Sequence, residues 1–155
     1  MKKQISKLSN QSGVVLIVSL FMLLLITLIG LSGMQSTALE EKMASNNRDQ
    51  NIAFQAAEAA LRAGEQFINT NNIGIFTTNP INANGLHLES ENLNYKSAAT
   101  WGNSESAVFP GTIPLVAAQP RYYIEYLSAA DFRVTARGTG RQSTSQVFLR
   151  SYYRK

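Results

Sequence analysis

A long uncharged run near the N-terminus constrains this chain more than any other feature. Residues 8–39 contain no charged side chain, and within them residues 14–34 (VVLIVSLFMLLLITLIGLSGM) are almost wholly apolar. As an α-helix, residues 14–34 would be about 32 Å long, which is close to the thickness of the hydrocarbon core of a bilayer. A core helix of a soluble protein is rarely apolar on all sides over this length. We therefore predict a membrane-spanning helix.

The charges on either side of this run predict its orientation. Lys2, Lys3 and Lys7 precede it, and the first charges after it are Glu40 and Glu41. Because an excess of lysine and arginine marks the cytoplasmic side, we expect a cytoplasmic N-terminus and an exported region from residue 40 to residue 155. Beyond residue 13 the chain has 11 basic and 10 acidic residues, so the formal net charge of +4 indicates little about nucleic acid.

Three fates of the N-terminus are compatible with this pattern. A signal peptide would be cut near Ser36–Ala38, but the apolar run is longer than the roughly 7–15 residues of a signal-peptide core. An uncut anchor would keep Met1. A leader cut after Gly13 would leave the apolar helix on the mature protein, with Val14 as its first residue. The physical pattern alone leaves the last two alternatives open.

Residues 35–68 are predicted to form an amphipathic helix. They contain no proline, and apolar residues recur at steps of three or four: Leu39, Met43, Ala53, Ala57, Leu61, Gly64 and Ile68. Glu58 precedes Arg62 by one helical turn, which is the favourable order for an exposed ion pair.

Residues 69–120 differ from both neighbouring segments. They are rich in Asn, Thr, Ser and Gly and contain all four prolines of the chain. We predict a variable loop region with one or two short strands, anchored by Trp101, Phe109 and Leu115. Because the chain has no cysteine, packing or assembly has to order this loop in place of disulfides.

After Pro120 the period of the pattern changes to two residues. Residues 121–127, 132–137 and 146–153 are predicted to be strands, with turns at 128–131 and 138–140. The short connections predict an antiparallel sheet over residues 121–155. One face of such a sheet has to be covered, and the amphipathic helix is the available partner.

Two segments carry a family resemblance. A lysine-bearing leader that ends at Gly13, followed by an apolar run, resembles the class III leader of type IV pilins. The segment LEEKMASNNRDQNIAFQAAEAALRAGE (residues 39–65) resembles the PilX-type minor pilins, and residues 132–140 and 147–154 are similar to their C-terminal end. The resemblance implies an α+β, pilin-like fold, in which residues 1–13 are removed by prepilin peptidase. The helix of residues 14–34 would then lie in the membrane or the filament core, and residues 35–68 would pack on a small C-terminal antiparallel sheet.

One departure from the major-pilin pattern bears on function. Major pilins usually have phenylalanine at mature position +1 and glutamate at +5, and here these positions are Val14 and Val18. An unpaired carboxylate in lipid is costly, so a glutamate at +5 implies a partner group that neutralises it. The absence of this glutamate implies that the present subunit does not need that partner. PilX-like and GspK-like minor subunits share this absence, which implies a tip or priming role. A minor pseudopilin of a type II secretion system is the alternative.

The resemblance also implies the partners: other minor pilins, the major pilin, a PilY-type tip protein, prepilin peptidase and the inner membrane. Gly30 and Gly33 would allow close helix packing in the filament. Residues 121–155 carry a net charge of +5, and Arg133, Arg137 and Arg141 are candidate docking residues. The same arginines, interleaved with tyrosines, would also suit a DNA-contacting subunit of a competence pilus or a plain solvated surface.

The sequence gives little support for catalysis. His87 is the only histidine, and we expect it to lie exposed in a polar loop without a nucleophile near it. The acidic residues of that loop lack the spacing of a calcium site. We therefore expect no enzyme activity, no metal and no cofactor.

Overall fold

The computed structural model of the chain describes residues 12–72, 74–78, 85–91, 93–128 and 130–155. The predicted leader, residues 1–13, therefore lies almost entirely outside the described residues. The chain divides into two compact units, one ending at Ala44 and one formed by Ser45–Lys155, which we call the head.

The first unit consists of the start of helix α1 (Ser12–Thr70). The large apolar side chains of residues 14–34 are 48–73% exposed, so this helix is not the core helix of a folded domain. It is long and apolar enough to cross a membrane. The predicted apolar helix is therefore confirmed.

The head combines the second part of α1 with a small sheet. After α1 come a short helix α2 (Gly74–Thr78), strands β1 (Leu86–Leu88) and β2 (Ala107–Val108), and the strands β3 (Arg121–Ser128), β4 (Asp131–Thr139) and β5 (Gln146–Arg154). Strands β3, β4 and β5 form the predicted antiparallel meander. The fold is thus α+β and pilin-like.

The sheet is larger than the predicted meander. Its order is β1–β3–β4–β5, with β2 also paired to β3, and β1 runs parallel to β3. The sheet is therefore mixed rather than wholly antiparallel. Because the connection from β1 to β3 is long, it can return the chain to the same end of the sheet, as parallel pairing requires.

The core lies between α1 and one face of the sheet. The helical side of the core consists of four completely buried alanines: Ala53, Ala56, Ala57 and Ala60. The sheet contributes Ile124, Phe132 and Val134. Small side chains let the helix approach the sheet closely, while Glu58 and Arg62 form the predicted ion pair on the exposed side. The amphipathic pattern is confirmed from Ala53 to Ile68, whereas Leu39 and Met43, which were predicted to share this face, are 61% and 59% exposed.

The second predicted turn is in the wrong place. Strand β4 continues through Gly138 and Thr139, and the turn to β5 spans residues 140–145. A Cβ atom at Gly138 would lie well inside van der Waals distance of the Ala53 carbonyl oxygen and the Ala57 amide nitrogen. Gly138 is thus required by the close approach of strand to helix and not by a turn.

Asp49 of α1 binds the turn between β4 and β5. Its carboxylate accepts hydrogen bonds from the backbone N–H of Arg141 (2.5 Å) and of Gln142 (3.4 Å). The hydroxyl of Ser145 and these two N–H groups lower the pKa of Asp49, although burial opposes them. The carboxylate therefore joins helix and turn in its ionised form.

The Asp49→Asn variant is expected to lose stability in a pH-dependent way. Because the pKa of Asp49 is lowered in the folded state, its carboxylate stabilises the head above its ordinary pKa of 3.8. This contribution is lost as the pH falls through the lowered pKa. Denaturant midpoints of wild type and variant should therefore differ at neutral pH and converge under acid, and a difference independent of pH would contradict this account.

Candidate interaction surface

The predicted processing and packing residues lie along the exposed part of α1. Gly13 and Val14 fall in its first turn, and Val18 is 53% exposed. A Cβ atom at Gly30 or Gly33 would meet nothing within 4 Å. The packing of this chain therefore does not itself require these glycines, and their role against other helices stays a prediction, as does cleavage after Gly13.

Two of the candidate docking arginines, Arg133 and Arg137, belong to the sheet face that points away from α1, which we call the outer face. Cross-strand register places its side chains in three rows over β3, β4 and β5. These rows are Arg121–Arg137–Phe148, Tyr123–Thr135–Arg150 and Glu125–Arg133–Tyr152.

The outer face is partly covered by residues 93–109, which we call the cover segment. The Trp101 ring lies 5.4 Å from the Tyr123 ring and 5.7 Å from the Phe148 ring, centroid to centroid. Arg121 donates hydrogen bonds to Gly102 O, to Ser106 O and to the Ser106 hydroxyl. The outer face is therefore not the open basic surface that its sequence suggests.

Arg133 is paired within the chain. Its Nε and Nη2 atoms donate to the two carboxylate oxygens of Glu125, each at 2.7 Å, and Glu125 is only 1% exposed. The hydrogen bonds to this carboxylate raise the pKa of Arg133 further above its ordinary value. A bidentate pair of this kind fixes the arginine in place.

Arg137 lies under the cover segment. Its guanidinium carbon is 5.1 Å from the Trp101 ring centroid, a cation–π contact. Burial and the neighbouring Arg121 lower the pKa of Arg137, and in the part of the chain that the structure describes its Nε has no hydrogen-bond partner. Within the described ranges, no carboxylate lies within ion-pair distance of this group.

Arg141 is the candidate that remains on the surface. It lies in the turn between β4 and β5, where its backbone binds Asp49 and its side chain is exposed. Of the three predicted docking residues, Arg133 and Arg137 contact groups of their own chain, and Arg141 is open to a partner.

Two expectations about the loop region are wrong. His87 is 3% exposed and lies on β1, where Nδ1 is 2.7 Å from Glu91 Oε2 and Nε2 is 2.7 Å from Glu105 O. It is a buried structural residue because β1 adds to the sheet beside Glu125.

Of the three predicted loop anchors, Leu115 is not one, since it is 63% exposed and adopts a φ of 64°. Trp101 is buried as expected, and Phe109 packs partly against the core.

Sequence patterns did not identify Arg150 and Tyr95 as candidate interaction residues. Arg150 is exposed on β5, its Nε donates to Thr135 Oγ1 at 3.1 Å, and its guanidinium carbon is 5.3 Å from the Tyr95 ring centroid. Alternation along β5 places Arg150 on one face with Phe148, which was a usable signal. The approach of Tyr95 depends on the path of the cover segment, which no periodicity reveals.

A groove of about 210 Å³ lies beside this pair of residues. Phe148 forms one wall, with its ring 5.6 Å from that of Tyr95, and Arg150 supplies a cationic group. The full lining consists of Tyr95, Thr135, Phe148, Leu149 and Arg150. It contains no acidic side chain.

Together these features define a class of protein: a subunit with one long apolar N-terminal helix and a small α+β head. The PilX N-terminal family model matches residues 12–62, and the model of the C-terminal part of the type IV pilus assembly protein PilX matches residues 41–155. The chain therefore belongs to the PilX family of type IV pilus minor pilins. No curated protein and no solved structure matched it.

Proposed function

We propose that this subunit primes assembly of the type IV pilus and then lies at or near the tip in a complex with other minor pilins. The observation that carries the proposal is the apolar helix without an acid. Val18 occupies the position at which major pilins carry glutamate, and no charge interrupts residues 8–39. A subunit without that carboxylate has no intramembrane group for the amino terminus of a neighbour to neutralise. It suits the end of a filament better than its repeating shaft.

The proposed mechanism is structural. Prepilin peptidase cuts between Gly13 and Val14, and the helix stays in the inner membrane of a Gram-negative cell with its head outside. Side-by-side packing with other pilin helices uses the exposed apolar residues and the open surface at Gly30 and Gly33. The major pilin then adds to this starting complex.

The proposed partners are other minor pilins, the major pilin and a PilY-type tip protein. The head offers two kinds of surface for them. One is the turn that carries Arg141, and the other is the outer face next to β5. The small net charge of the head favours protein partners over DNA, since the head has ten basic and eight acidic residues.

The filament fraction tests this proposal directly. In pili sheared from cells, we expect the subunit to begin at Val14 and antibodies to the head to label filament ends. A deletion strain should carry few pili, and the wild-type chain should restore them. A Gly13→Leu variant serves as a control for cleavage, since it should stay full length in the membrane and fail to restore pili.

Other outcomes would overturn the proposal. An intact Met1 in the filament would exclude the leader, and labelling along the whole shaft would exclude a tip position. Normal pilus numbers in the deletion strain, combined with a block in protein secretion, would indicate the type II secretion alternative.

A further inference from the structure

Arg150, the one cation in the lining of the groove beside β5, carries a charge that the chain does not neutralise, and Arg137 and Lys96 lie over neighbouring rings. Among the described residues, no carboxylate lies within ion-pair distance of Arg150, Arg137 or Lys96, while Arg133 and Arg154 are paired. The residues outside the described ranges contain no Asp or Glu, so they cannot supply the missing charge.

The cationic groups are held in place by aromatic rings. Lys96 Nζ lies 5.8 Å from the Tyr95 ring centroid and the guanidinium carbon of Arg150 lies 5.3 Å from it. Arg150 is fixed further by its hydrogen bond to Thr135, which is only 1% exposed. A long side chain that is already ordered loses less conformational entropy when it binds a partner. The groove is therefore preorganised for an anionic group.

We propose that this groove binds a carboxylate side chain of a neighbouring pilus subunit, with Arg150 as the principal contact. The inference rests on the proposed function, because it takes the partner from the same filament. A volume of about 210 Å³ suits one acidic side chain together with a short apolar neighbour that packs on Phe148. Charge complementarity would set the register of the two subunits.

Nucleic acid fits the groove less well than a protein carboxylate. The rings of Tyr95 and Trp101 already contact Phe148 and cationic groups, so they do not offer open faces for bases. A phosphate backbone is usually bound by a track of many lysines and arginines. Among the described residues, Arg150 and Lys96 are the exposed cations at Tyr95.

Carbodiimide coupling tests the proposal in intact membranes and sheared pili that contain the full chain. This reagent joins a carboxylate to an amine in contact with it, and Lys96 supplies the amine. We expect an adduct between Lys96 and an Asp or Glu of another pilus subunit, identified by mass spectrometry. The Arg150→Glu variant should lower its yield about tenfold, because a like charge then faces the partner acid.

Two variants control this experiment. Lys96→Arg keeps the charge but removes the amine, so it should abolish the adduct and leave the complex intact. Arg154→Gln removes an exposed arginine of the same strand that already pairs with Asp131, and it should leave the yield unchanged. Equal abundance of all variants in the membrane shows that they fold.

Three results would overturn the proposal: no Lys96 adduct in pili that contain the subunit, an equal yield in Arg150→Glu, or Arg150-dependent retardation of single-stranded DNA without an adduct. The proposed function is tested separately by the deletion strain. Few pili in that strain with no adduct would refute the groove alone, whereas normal pili would refute the priming role.

Discussion

The Gly138→Ala variant is expected to lose about 3 kcal/mol of the free energy of unfolding. A methyl group at this position would overlap the backbone oxygen of Ala53 and the backbone nitrogen of Ala57. Neither atom belongs to a flexible side chain, so relief requires the helix and strand β4 to separate. That separation would loosen the packing of buried alanines against the sheet, where small gaps are costly.

Denaturant titration of the full chain in detergent measures this effect. Trp101 is the only tryptophan and is 4% exposed, so its fluorescence reports unfolding of the head. Gly74→Ala is the matched control, because a Cβ atom there would meet nothing within 4 Å. We expect that control to change stability by less than about 1 kcal/mol. Equal midpoints for the two variants would show that helix and strand are not in close contact.

Gly138 also shows what sequence patterns can and cannot predict. Hydropathy and period identified the apolar helix, the amphipathic continuation and the three long strands, because these depend on residues close together in the chain. The structural role of a glycine between two predicted strands is ambiguous, because glycine is favoured both in turns and where two backbones approach closely. Only the position of α1 across the sheet distinguishes these roles.

The arginines of the outer face show the same limit more sharply. Alternation along residues 132–137 places Arg133 and Arg137 on one face, and the register of β4 agrees with this. Alternation could not predict that Arg133 pairs with Glu125 or that Arg137 lies over the Trp101 ring. Nor could it predict that Arg150 borders a groove. These differences come from the cover segment, whose path is determined by contacts distant in sequence.

The Arg133→Gln variant is expected to lose about 3–5 kcal/mol of the free energy of unfolding. Glu125 is 1% exposed, and the bidentate bonds from Arg133 at 2.7 Å satisfy both of its oxygens. Glutamine is too short and carries no charge, so the carboxylate would stay buried without its counterion. Arg62→Gln is the matched control. Its partner Glu58 is exposed, and we expect a loss below about 1 kcal/mol.

A double variant separates the value of the ion pair from the cost of breaking it. In Glu125→Leu with Arg133→Leu, neither charge remains to be buried, so stability should return most of the way to that of wild type. Stability as low as that of Arg133→Gln would instead mean that the pair holds β3 and β4 in register. In that case Arg133, which the sequence suggests as a docking residue, is a requirement of the fold. Of the arginines considered for docking, Arg141 and Arg150 then remain available to a partner.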